Sequence, residues 1–259
     1  MKKIHFAEGY ILNPYHPVTV NVIGAGGTGS QVVMALARMD HALRALGHRG
    51  LHVAVYDDDV VTEANLGRQL FTPLEIGCSK AVALVTRVNR FFGLGWDSIQ
   101  SRYPSKDADA LANITITCVD NVKARIAIGK HLRLGKSEGV EKDDTERPYY
   151  WLDFGNTADN GQVVLGTIRK VKQPESADYE TVNQLPCVDQ LYNLSEVKDE
   201  DSGPSCSLAE ALTKQDLFIN SALSQVGCDI LWQLFSKGKI ERQGLYLNLR
   251  TAKMNPINL

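Results

Sequence analysis

The sequence has no C-x-x-C pair, no long apolar run and almost no net charge, and each absence removes a class of protein. Its five cysteines (Cys78, Cys118, Cys187, Cys206 and Cys228) are scattered and odd in number. With no secretory leader to accompany them, they read as free thiols of a reducing, cytoplasmic compartment. A four-cysteine structural zinc site is excluded by count and spacing, and the six histidines show no ligand spacing either. No stretch approaches the roughly 18 apolar residues that a membrane-spanning helix needs. The opening "MKKIHFAEGYILNP" carries two lysines but no sustained apolar segment behind them, so it does not read as a signal peptide. With 28 basic against 30 acidic side chains, there is no basic footprint to argue for nucleic acid.

What the chain does have is 44% hydrophobic residues with 22% charge, the composition of a packed core rather than of disorder. Its 259 residues suffice for one large α/β domain, or one domain with an appended lobe. "VTVNVIGAG" (18–26) reads as a buried parallel strand, and "SQVVMALARMDHALRAL" (30–46) as a helix that Gly47 ends. A second strand, "LHVAVYDDD" (51–59), finishes in acids. "SKAVALVTRVNRFF" (79–92) has helical spacing, "WDSIQSRY" (96–103) suits a third strand, and "ITITCVDN" (114–121) a fourth. Strands alternating with helices predict an α/β fold: a Rossmann-like, mostly parallel sheet with helices on both faces.

The charged run 136–147 reads as a solvated loop, and "PYYWLDFG" (148–155) and "GQVVLGTI" (161–168) as two further strands. Residues 170–207 are polar and irregular and read as a long crossover or lid. Residues 209–235 follow as helix, with Ile219, Leu223, Val226, Ile230 and Leu234 at intervals of three and four. "GLYLNLRT" then reads as a half-buried terminal strand. The expected division is a nucleotide-binding domain over 1–168, with the crossover, helix and strand of 169–259 packing back on it.

Between the first strand and helix lies "GAGGTG", whose Gly24, Gly26, Gly27 and Gly29 permit a tight turn and let backbone N–H groups approach a phosphate. The helix aims its partial positive charge at the same anion. By itself the pattern fits NAD as well as ATP. A dinucleotide site asks for one acid at the end of the second strand, about 20 residues on. Here that strand runs into "YDDDVVTEANLGRQLF" (56–71), and Asp57 lies farther off because the first helix is long. Three carboxylates exceed what a ribose diol requires, and Arg68 and Lys80 follow in the same connection. Clustered acids with two cations suit a triphosphate and Mg²⁺, since cations meet the negative oxygens and acids hold the metal.

Five segments, in order, resemble the ThiF/MoeB-type adenylating enzymes, the superfamily that includes the ubiquitin-activating enzymes. They are "GAGGTGS" (24–30), "DDDVVTEANLGRQ" (57–69), "GCSKA" (77–81), "CVDNVKAR" (118–125) and "DFGNTADNGQV" (153–163). The glycine cluster, the acidic segment and "GLYLNL" also look like the ThiF-related proteins of bacterial mobile-element cassettes that carry a ParB-related gene, the PRTRC type. The resemblance implies ATP and Mg²⁺ as cofactors. It implies adenylation of the C-terminal carboxylate of a small β-grasp protein, ubiquitin-like or sulfur-carrier, with release of pyrophosphate, and a homodimer. It puts the glycine turn under the phosphates, Asp57 on the ribose hydroxyls and Asp59 nearby as a further ribose or metal-shell acid. Asn65, Arg68 and Lys80 would grip the phosphates, and Asp120 would hold Mg²⁺ with Arg125 in support. Such a step needs positioning and charge neutralisation rather than a protein nucleophile.

Plainer roles stand beside these. Asp57 could cap a loop, Arg68 could form an ion pair, Lys80 could be solvated at a helix start, and Asp120 could close a turn. Two other functions stay open: a non-catalytic subunit of this fold that scaffolds other cassette proteins, and an NAD-dependent oxidoreductase. Intact Arg68, Lys80 and Asp120 argue against the first, and the "NLGRQ" string against the second.

Some members of the superfamily pass the acyl group to their own cysteine. Cys206, in "GPSCSLAEAL", resembles the P-x-C-T setting of that residue in ubiquitin-activating enzymes. It also precedes a predicted helix, with Ser207 as N-cap, whose amino end would lower the thiol pKa. Cys187, in "LPCVDQLY", is a second candidate, Cys118 and Cys228 read as core, and Cys78 has no assigned role. Many relatives carry two C-x-x-C pairs that bind zinc; this chain carries neither.

Overall fold

The computed structural model describes residues 1–106, 108–134, 144–196, 209–210, 212 and 215–259. Its frame is a set of β-branched and aromatic segments: β2 (Val18–Ile23), β3 (Leu51–Tyr56), β4 (Asp97–Ile99), β5 (Ile114–Thr117) and β6 (Tyr150–Asn156). These pair in parallel in the order β4-β3-β2-β5-β6. From β2 the chain builds outward through β3 and β4, then returns to the other side of β2 for β5 and β6. Beyond β6 the sheet continues antiparallel through β7 (Asn160–Thr167), β10 (Arg242–Asn248) and β11 (Lys253–Asn258). A small separate sheet joins β1 (Lys2–Phe6) to β8 (Tyr179–Thr181) and β9 (Lys239–Ile240).

The helices with both bounds among the described residues are α1 (Gly9–Leu12), α2 (Gly27–Ala45), α3 (Lys80–Phe92), α4 (Val122–Leu134), α5 (Val188–Leu191) and α6 (Ile219–Lys237). Side chains alternate across a strand, and here both sides are apolar. Val20 and Val22 of β2, Val53 and Val55 of β3, and Leu152 and Phe154 of β6 share one core with residues of α2, α3 and α6. The intervening Ile23, Tyr56 and Trp151 join a smaller core with Ile128 and Leu132 of α4 and Val188 of α5. Helices therefore cover both faces, as the sequence predicts. Gly227 seats α6 on the sheet, because a Cβ there would lie 2.3 Å from the Phe154 ring.

Several boundaries differ from the sequence reading. Helix α2 starts at Gly27 rather than Ser30, so Gly27 and Gly29 belong to its first turn. β3 ends at Tyr56, which frees Asp57–Asp59 from the sheet. β4 stops at Ile99 because the Ser101 N–H turns back to the Ile99 carbonyl. Helix α4 is an addition. Its apolar face is thin because Arg125 and Arg133 dock it through Asp153 and Asp189 instead. The final helix begins at Ile219, and β10 is followed by β11, whose "KMNPIN" is exposed along most of its length and lacks an alternating pattern. Residues 170–196 of the crossover hold β8 and α5; Cys206 and the rest of 197–208 lie outside the described residues. Among the described residues, no helix is long and apolar enough to cross a membrane.

Candidate active site at the carboxyl end of the sheet

The turn from β2 into α2 sits where the chain order reverses, between β2 and β5, the place where open α/β sheets leave a crevice. Gly24 holds φ at +95°, and a Cβ on it would lie 2.8 Å from the Cys118 carbonyl oxygen. A Cβ on Gly29 would lie 1.8 Å from the Gly24 carbonyl oxygen, and one on Gly27 2.6 Å from the Asn220 amide. Gly26 differs, since nothing lies within 4 Å of where its Cβ would be. Three glycines therefore close the turn and the fourth opens it. The N-cap residue of α2 is Gly26, which has no side chain to cap it, so among the described residues its first N–H groups and their partial positive charge stay available.

Asp57 is the tie between this turn and the next strand. Its Oδ2 accepts from the Ala25 N–H at 2.6 Å and its Oδ1 from the Asp59 N–H at 2.9 Å. Burial pushes its carboxyl above the usual aspartate range, and the two N–H groups and Lys80 pull it back down. The loop-capping role weighed for Asp57 is thus real, and it fixes the backbone of the glycine turn. Asp59 Oδ2 accepts from Lys80 Nζ at 2.8 Å. The pair is lopsided: the Lys80 side chain is 9% exposed and that of Asp59 67%. Lys80 opens α3, where Ser79 is the N-cap, so its position follows from the helix start. Asp58 turns outward to Arg102. Asp57, Asp58 and Asp59 bring one oxygen each within 4.8 Å, but each already answers an N–H, a guanidinium or an ammonium.

Asn65 is buried, and its Oδ1 accepts from the Thr62 N–H and hydroxyl, closing a capping box on the short turn Glu63–Asn65. Arg68 follows. Its Nη1 donates to Gln215 Oε1 at 2.7 Å, while its Nε is buried with no partner among the described residues. Desolvation lowers the Arg68 pKa, yet a guanidinium stays charged in any protein setting. Gln215 Oε1 also accepts from Asn220 Nδ2 at 3.0 Å, and Asn220 Oδ1 accepts from Thr28 Oγ1 at 2.9 Å and Asn156 Nδ2 at 3.2 Å. A polar relay thus runs from Arg68 to the first turn of α2. Sequence reasoning missed Gln215 and Asn220; their only signal is amide side chains next to the apolar stripe of α6.

Asp120 lies exposed just past β5. Its loop is set by Arg125, whose Nη2 donates to the carbonyls of Val119 at 2.6 Å and Phe154 at 2.9 Å and whose Nε pairs with buried Asp153. Arg125 therefore acts on Asp120 through the backbone. Among the described cysteines, Cys187 is corrected as a nucleophile. It is buried beneath β7, donates weakly to the Thr167 carbonyl, and burial pushes its thiol up to about 12. Cys228 is likewise buried with its thiol at about 12. Burial also raises Cys118, which packs against the core, and Cys78 is exposed.

A sequence profile described as the ThiF family matches residues 15–228. Ubiquitin-like modifier-activating enzyme 5 of Arabidopsis thaliana is 28% identical over a 164-residue alignment that covers 54% of this chain and 36% of that protein. Among solved structures, MccB of E. coli is similar with a TM-score of 0.59 at 15% identity, over 93% of this chain and 62% of its own. PaaA gives 0.56 at 13% identity, over 93% and 64%. MccB solved with ATP gives 0.57 at 13% identity, over 93% and 63%. These structural likenesses concern the fold. The chain spans less than two thirds of the length of each of these relatives.

Proposed function

The chain belongs to the ThiF family, and from that premise we propose that it is an ATP-dependent activating enzyme. Its reaction is adenylation of the C-terminal carboxylate of a small β-grasp protein, ubiquitin-like or sulfur-carrier, with release of pyrophosphate. The observation that carries this reading is the amino end of α2 with no N-cap side chain, to which hydrogen bonds link Lys80 through the Asp57–Asp59 loop and Arg68 through the amide relay. Charged donors fixed beforehand around developing negative charge lower a barrier without reorganisation. MccB, which shares the fold, has been solved with ATP, and this supports ATP as the nucleotide.

The residues present fit that nucleotide. Gly26 leaves open space before the α2 N–H groups, and Arg68 has an unused donor and only a neutral partner. Each Asp57 oxygen holds one N–H and keeps a lone pair for a ribose hydroxyl. Lys80 shares its charge with an Asp59 that is mostly in water, a weak hold that a phosphate can displace. Asn65 has spent its oxygen on the cap and offers its amide N–H₂. Mg²⁺ commonly takes one or two carboxylates with phosphate oxygens and water, so exposed Asp120 suffices as its protein ligand, and Arg125 keeps the loop in place. The cation's chemistry is to neutralise phosphate charge. Residues 1–168 form the nucleotide-binding domain in this reading, with 169–259 packed back on it. The enzyme acts as a homodimer in the cytoplasm and belongs to the PRTRC-type subfamily.

The decisive measurement is ATP–pyrophosphate exchange with the purified chain and each small β-grasp protein encoded beside its gene. We expect exchange that depends on one such protein. Exchange with none of them overturns adenylation in favour of a scaffolding subunit, and retention of NAD would support an oxidoreductase. Cys206 is the proposed thioester residue. A thiol-sensitive adduct with the carrier should form and vanish in Cys206→Ala; if exchange persists and no adduct ever forms, the adenylate is the final product.

A further inference from the structure

Arg68 is held in an unusual way for a half-buried cation whose Nε is sealed from water. Among the described residues nothing acidic meets it: Nη1 rests on the side-chain oxygen of Gln215, and Nε has no partner. Buried cations are ordinarily paired with a carboxylate, because an unpaired charge is costly away from water. The orientation of Gln215 is set from behind. Asn220 is 3% exposed, and its oxygen is occupied by Thr28 and Asn156, so its Nδ2 must donate outward, to Gln215 Oε1. Gln215 thus presents an oxygen, not its own N–H₂, to Arg68. Asn220 in turn cannot shift toward α2, since its amide already fills the space a Cβ on Gly27 would need.

Resting on the nucleotide reading above, we propose that Gln215 is a positioning residue, a neutral placeholder that keeps the Arg68 guanidinium beside the amino end of α2 until a phosphate replaces it. A neutral acceptor orients the cation while leaving its charge uncompensated, whereas a phosphate meets it ion to ion and can take two guanidinium N–H groups at once. The exchange therefore favours an anion. A carboxylate at the same place would orient Arg68 equally well but would compete for it.

The test is the affinity of the full chain for Mg²⁺–ATP and for adenosine, which has no phosphate, in Gln215→Glu and Gln215→Met. Gln215→Glu should bind ATP about tenfold more weakly than the parent and adenosine as the parent does. Gln215→Met should lose less than about threefold for ATP. Equal losses for ATP and adenosine, or equal ATP losses in the two variants, would reduce Gln215 to a packing role and overturn the inference. Unchanged ATP affinity in Gln215→Glu overturns it too. A parent chain that binds adenosine but shows no preference for ATP would instead overturn the nucleotide reading beneath it.

Discussion

Lys80→Met should lower affinity for Mg²⁺–ATP by about a hundredfold while the melting temperature stays within a few degrees of the parent. The two halves of this result come from the same ion pair. Lys80 is the first residue of α3 and only 8% exposed, and methionine keeps an apolar stem of similar length. Its partner Asp59 is two-thirds exposed, so losing the ammonium strands no carboxylate away from water and folding changes little. In the proposed nucleotide site a phosphate has no such recourse, because it would lose a compact charge held one ion pair away from the loop that Asp57 ties to the glycine turn. Titration calorimetry with ATP and a thermal melt are the measurements. A loss below about threefold in affinity would remove Lys80 from the nucleotide site.

The second large effect separates two glycines that the sequence presents as equals. Gly29→Ala should destabilise the fold by about 3 kcal/mol, a fall in Tm of about 6–12 °C. Its Cβ would lie 1.8 Å from the Gly24 carbonyl oxygen, a backbone atom with no freedom to yield. Gly26→Ala meets nothing within 4 Å and has an ordinary φ of −73°, so its Tm should match the parent. The added methyl instead occupies the open side of the turn, and ATP affinity should fall by about tenfold. Reversal of the pattern, with Gly26→Ala unfolding and Gly29→Ala stable, would mean that the turn is built differently.

How much of this was legible in the sequence follows from the physics of each part. Strands buried on both faces announce themselves as apolar runs, and β2, β3, β5, β6 and β7 were read within a few residues. Helix α4 was not, because Arg125 and Arg133 fasten it by ion pairs where an apolar stripe would otherwise do so. β1 and β11 are short, polar or exposed, and their pairing depends on distant partners that no local pattern encodes. In the candidate site, residue types and order point to the glycines, Asp57, Arg68 and Lys80, and the family resemblance adds Asp120. What they could not carry is who holds them. The tie from Asp57 to Ala25 spans 32 positions and the link from Arg68 to Gln215 spans 147. Cys187 shows the same limit from the other side, since only the packed β7 reveals that its thiol is sealed in.

The long sheet has an uneven pair of margins. On one side β4 offers three residues, too few to template another chain. On the other, β11 is longer and exposed, but it carries Lys253 at its start and Pro256 within it, a charge and a missing N–H that spoil pairing with a foreign strand. Growth by strand addition, the common first step of aggregation and of runaway oligomers, is blocked on both sides. The eight-stranded sheet can therefore stay open at both ends without templating a foreign strand, and association between copies along these edges would have to be made by side chains rather than by a backbone ladder.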